Sequence, residues 1–151
     1  MRKNTLLALV AILAMVGVLA YSGSALADDG GRPFFTEMDG AQEAPGPGDP
    51  DGTGTASFTL NPGQGEVCFE LAVEDIVLPA SGAHIHAAPV GTPGPVVVPL
   101  TPPDSTGTSS GCRTGVDRDL IVDIIQNPEN YYVNVHNSVY PGGAVRGQLG
   151  K

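Results

Sequence analysis

Three histidines are the residues best suited to chemistry in this chain of 151. His84 and His86 lie in Ala83-His84-Ile85-His86, and His136 ends the run Tyr132-Val133-Asn134-Val135-His136. On a β-strand, residues two apart share a face. His84 and His86 therefore point one way and Ile85 the other, while Tyr132, Asn134 and His136 share a face opposite Val133 and Val135. The same alternation in Ala144–Leu149 separates Arg146 and Gln148 from Val145 and Leu149. If these three strands neighbour one another with their apolar sides inward, their polar faces gather the three histidines with Asn134, Arg146 and Gln148. Two imidazoles at i and i+2 can chelate one ion, and a third from a neighbouring strand completes a set that suits copper or zinc. The same residues also fit half-buried strand histidines that hydrogen-bond to backbone or to a carboxylate. Arg146 bears on the choice, because a fixed cation near a metal is unfavourable unless an anion lies between. Its expected partner is a carboxylate such as Glu43, which would tie the first strand to the last.

Other chemistry is hard to build, and no catalytic residue is assigned. The serines of Ser105–Ser110 sit in a Gly/Thr-rich stretch, read as a loop, with no nucleophile elbow and no neighbouring histidine. Paired carboxylates occur as Glu74-Asp75, and adjacent residues on a strand diverge in direction, which makes a poor acid/base pair. No phosphate-binding loop or dinucleotide fingerprint is present. The formal charge is −9, and no Lys/Arg cluster follows the first residues, so nucleic acid is not an expected partner.

The elements that must position these residues are short and β-prone. Gly 21 and Pro 14 punctuate a chain that is 41% apolar and only 15% charged, a balance that fits a turn-rich all-β domain rather than a charge-dominated disordered one. The expected strands are Phe34–Met38, Thr55–Leu60, Val67–Val73, Gly82–His86, Val96–Leu100, Tyr131–His136 and Ala144–Leu149. Asn61-Pro62-Gly63-Gln64-Gly65 joins the second and third as a hairpin, and Ala44–Gly54 reads as a loop. In Asp117–Gln126 the apolar residues Leu120, Ile121, Ile124 and Ile125 follow helical spacing, with Asp117 as cap and Asn127-Pro128 as stop. The expected architecture is all-β: a Greek-key, immunoglobulin-like antiparallel β-sandwich with one short connection helix.

The N-terminus reads as a leader. Met1-Arg2-Lys3 precedes an apolar run from Leu6 to Tyr21, and Ala25-Leu26-Ala27 has the small residues of a cleavage signal. The run is shorter than the ~20 residues that span a bilayer. The expected organisation is a signal peptide over 1–27, a disordered stub over 28–33 and one domain over 34–151. Cleavage removes Arg2 and Lys3 but no acid, so the charge becomes −11. The expected location is outside the cytoplasm (secreted, cell-surface or periplasmic) with no stable membrane insertion after cleavage. Cys68 and Cys112, an even count in an exported chain, read as one disulfide.

Six ordered motifs carry a resemblance. They are Met38-Asp39-Gly40-Ala41-Gln42-Glu43-Ala44-Pro45, Gly54-Thr55-Ala56-Ser57-Phe58, Ala83-His84-Ile85-His86, Gly94-Pro95-Val96-Val97-Val98-Pro99-Leu100, Tyr132-Val133-Asn134-Val135-His136 and Gly143-Ala144-Val145-Arg146-Gly147-Gln148-Leu149. Together they resemble the CHRD domain, named after chordin and found in many exported microbial proteins. The resemblance covers Phe34 to Leu149. It implies an extracellular, non-enzymatic β-sandwich module that binds a protein or small ligand, or serves a structural role. The family pattern includes Glu43, His84, His86, Asn134, His136, Arg146 and Gly147, all present here. Two departures are a loop after Glu43 richer in Pro and Gly than usual and Ala87 where glycine often follows the second histidine. A weaker likeness to copper/zinc superoxide dismutase rests on its His-x-His strand. That enzyme's paired-metal site needs more histidines and an aspartate, so three histidines do not supply it.

Overall fold

The computed structural model describes residues 30–150. The period-two alternation builds eight strands: β1 (Arg32–Asp39), β2 (Thr53–Asn61), β3 (Glu66–Glu74), β4 (Gly82–Ala87), β5 (Val96–Leu100), β6 (Thr108–Thr114), β7 (Tyr131–His136) and β8 (Val145–Gln148). They form one continuous antiparallel sheet in the order β5-β4-β7-β8-β1-β2-β3-β6. The sheet curls until its edges meet. There the Arg113 Nε donates to the Pro99 carbonyl at 2.7 Å and the Ser109 hydroxyl to the Thr101 carbonyl at 2.8 Å. Side chains thus bridge a seam that no backbone ladder closes, and the sheet stops just short of a barrel.

Every strand but β6 gives one face to the interior. Met38, Phe58, Leu60, Val67, Phe69, Leu71, Ile85, Val98, Val133, Val135 and Val145 are buried there as one cluster. The helix α1 (Arg118–Gln126) adds Ile121 and Ile124, both fully buried. Asp117 caps it as expected, its carboxylate accepting from the Asp119 and Leu120 amides. Nine residues of helix are marginal in water, so this packing is what holds α1 in place.

Two expectations are corrected. The Gly/Ser/Thr stretch read as a loop is in fact strand β6, paired with β3 from Glu66↔Thr114 to Ala72↔Thr108. Its side chains are mostly exposed, so it carries no apolar alternation, and an edge position beside β3 makes it a strand. Of the stub expected over 28–33, Arg32 and Pro33 are strand and pair with Leu60 and Thr59. This half of β1 pairs with β2 alone, so the missing proline N–H costs no second ladder bond. The leader over 1–27 lies outside the described residues. Among the described residues no helix is long and apolar enough to cross a membrane.

Cys68 and Cys112 stand opposite each other in the β3–β6 ladder and form the expected disulfide. It holds the one strand that buries almost nothing. With a sequence separation of 44, the chain-entropy model gives the bond about 4 kcal/mol. Replacing both cysteines by serine should lower the unfolding free energy by up to that amount in denaturant titration. Unchanged stability would show that β6 is held by its ladder alone.

Candidate metal centre

Adjacent strands β4, β7 and β8 place the chemistry-bearing residues in one grid. Across β4 and β7 the pairs are Gly82↔His136, His84↔Asn134 and His86↔Tyr132, and across β7 and β8 they are Asn134↔Arg146 and Tyr132↔Gln148. The opposite faces of these strands carry Ile85, Val133, Val135 and Val145 into the core. The polar faces therefore look outward, yet most are covered: Asn134, Arg146, Gln148, Tyr132 and His86 are all buried.

The cover is the loop between β4 and β5, pinned by these side chains. Arg146 donates to the carbonyls of Thr92 at 3.0 Å and Pro89 at 2.9 Å, and to the Gln148 side-chain oxygen at 3.1 Å. The Gln148 amide donates to the Ala88 and Glu129 carbonyls. The Gly94 N–H donates to the Tyr132 hydroxyl, while the Gly94 carbonyl accepts from His86. The guanidinium lies 3.4 Å over the Tyr132 ring, and His86 stacks on that ring nearly parallel, at 4.7 Å between centroids. Guanidinium, phenol and imidazole thus stack in three layers.

His84, His86 and His136 come together as the alternation predicted, with ligand atoms all within 4.8 Å of one another. His86 Nδ1 lies 2.9 Å from the Gly94 carbonyl and His136 Nδ1 lies 3.0 Å from the Pro141 carbonyl. A carbonyl can only accept, so each Nδ1 carries the proton and each Nε2 keeps its lone pair. His84 Nδ1 sits 3.2 Å from His136 Nε2 and donates to it. His86 Nε2 is buried and has no hydrogen-bond partner. Burial is the main cause holding His84 and His136 below the ordinary histidine value, with neighbouring imidazoles adding to it. Three ring nitrogens gathered this closely are what a borderline cation needs, and backbone carbonyls on the remote nitrogens of His86 and His136 are the usual way ligand histidines are oriented. In this arrangement His84 would ligate through Nδ1 after passing its proton to Nε2.

Glu43 and Arg146 do not form the expected direct ion pair. The only salt-bridge contact among the described residues is Arg118–Asp119, exposed on the surface. Backbone carbonyls and Gln148 take the guanidinium donors, and Glu43 feels Arg146 only through space. Burial raises the Glu43 carboxyl to about 7, against the opposing pull of Arg146, the Asn134 side chain and the Ala44 N–H. Gly143, at φ 143°, covers the carboxyl so closely that a Cβ there would overlap it. Sequence reasoning missed the loop residues Pro89, Thr92, Gly94 and Pro141, which act through main-chain oxygens that any residue would offer. A surface groove of about 650 Å³ lies elsewhere, along Phe35, Gly111 and the disulfide.

The matching family model is that of the CHRD domain, over residues 34–149. The chain belongs to the CHRD domain family. No curated protein and no solved structure matches it. In this CHRD domain the resemblance carried by the six motifs holds from Phe34 to Leu149.

Two outcomes follow from the electrostatics. Arg146→Met would strand the Pro89 and Thr92 carbonyls and should cost roughly 2–5 kcal/mol in chemical denaturation. Arg146→Lys should rescue little of it, because an ammonium lacks the planar fork. Full rescue by lysine would show that charge alone matters. For Glu43 the folded-state value is raised, so its favourable contribution is complete below the unfolded value of 4.5 and is lost as pH rises through about 7. Glu43→Gln should therefore melt higher than the parent at pH 8 and with it at pH 5. Equal melting at both would mean that the carboxyl is not desolvated.

Proposed function

We propose that this chain is an exported, non-enzymatic CHRD module that binds one copper or zinc ion through His84, His86 and His136. The observation that carries the reading is the buried, unpartnered Nε2 of His86, facing two more neutral imidazoles. An unpaired buried nitrogen costs about 1–3 kcal/mol, and a bound cation removes that cost. Arg146, which argued against a metal from sequence, is separated from His86 by the Tyr132 ring and held by three oxygens. The disulfide supports an oxidising compartment, and the acidic composition suits neither nucleic acid nor anionic surfaces. In this reading the binding role lies on the outer polar face of the curled sheet. Further partners outside the cell would be a protein or a small ligand.

Calorimetric titration of tag-free protein with Cu(II) and with Zn(II) tests this. One-to-one binding is expected, lost in His84→Ala, in His86→Ala and in His136→Ala. At 100-fold excess over Kd the ion should add about 2.7 kcal/mol to stability. Affinity should hold above the ordinary histidine value and fall as pH drops through the lowered values of His84 and His136, as protons take the ring nitrogens. Absence of heat and an unmoved melting curve would leave these residues as hydrogen-bonding strand histidines.

A further inference from the structure

Three imidazoles fill three positions of a tetrahedral ion, and the residue at the centre of the grid is Asn134. It stands directly across the ladder from His84 and two residues along β7 from His136, and its other β7 neighbour, Tyr132, carries His86. The ring centroids of the three histidines are 5.1, 5.5 and 6.2 Å apart, and Asn134 shares their strand face as the ladder partner of His84. Asn134 is 2% exposed, and its Oδ1 is buried without a hydrogen-bond partner. The Asn134 side chain also lies against the Glu43 carboxyl and lowers its value, as an amide NH₂ turned toward it would. A buried amide acceptor is thus left unused on the face that carries the histidine cluster.

We propose that Asn134 Oδ1 is the fourth donor, closing the site as three nitrogens and one oxygen. This inference rests on the three-histidine reading and extends it. A site closed by protein atoms holds its ion, whereas catalytic sites keep a position open for water or substrate. Glu43 is then a positioning residue, since it sets which end of the Asn134 amide faces the ion. An amide oxygen is a hard donor and adds no charge, which favours Zn(II) and Cu(II) over softer ions.

Zn(II) titration by competition with a chelator, on folded tag-free protein, provides the test. Asn134→Ala should bind Zn(II) about 10-fold more weakly or worse, while retaining one-to-one stoichiometry. The exchange variant Glu43→Gln/Asn134→Asp keeps the hydrogen bond with donor and acceptor reversed and offers the ion an anionic oxygen. It should bind more tightly than the parent. In the parent itself, Zn(II) should shift the Asn134 side-chain amide resonance in NMR, a readout that survives even if Asn134→Ala fails to fold. Parent-like affinity in Asn134→Ala, or an unmoved amide resonance on a zinc-loaded parent, overturns the fourth ligand and leaves the histidine site standing. A parent that binds neither Zn(II) nor Cu(II) overturns both.

Discussion

A single buried positive charge organises this domain's outer face. Arg146 is 1% exposed and has no carboxylate in contact, so its desolvation must be offset by oxygens that the protein brings to it. Those oxygens are the Pro89 and Thr92 carbonyls and the Gln148 side chain, and supplying them fixes the β4–β5 connection over the sheet. Once that connection is fixed, Gly94 meets both His86 and Tyr132. The His86 tautomer, and with it the Nε2 lone pair, follows from how one guanidinium is solvated.

Unsatisfied polar atoms are few in native proteins and informative where they collect. The buried examples found here are Glu43 Oε1, His86 Nε2, Asn134 Oδ1 and Asn137 Nδ2, all in or beside the β4–β7–β8 face. The interior of the sheet, by contrast, is apolar throughout its cluster. Good packing on one face and unused hydrogen-bonding capacity on the other is the pattern of a scaffold that holds a site. Arg146 lies behind an aromatic ring, burial favours the neutral form of His84 and His136, and Glu43 is a carboxyl whose burial works against ionisation.

The alternation rule carried the sequence reading far, because a strand's side-chain period of two does not depend on the rest of the fold. β5 and β7 occupy the expected ranges, and the other five expected strands differ by only one or two residues at their ends. The faces of His84, His86, Asn134, His136 and Arg146 also came from the sequence alone, as did the helix cap at Asp117. β6 was illegible for a reason of the same kind. A strand with both faces largely in solvent has no apolar period to read, and its partner β3 and the disulfide define it instead.

Strand order and loop placement were decided only by the tertiary structure. Local sequence fixes which way a side chain points but not which strand lies beside it, and β4 and β7 become neighbours across the intervening β5, β6 and α1. The partner of Arg146 shows the difference. A buried cation needs oxygens, and the sequence offered Glu43 as the obvious one. The fold instead delivered main-chain carbonyls from a loop more than fifty residues away, and such carbonyls leave no mark on residue type. The histidine cluster was foreseeable as a face. Its convergence, its tautomers and the unused amide oxygen at its centre arise from register and from backbone groups common to every sequence.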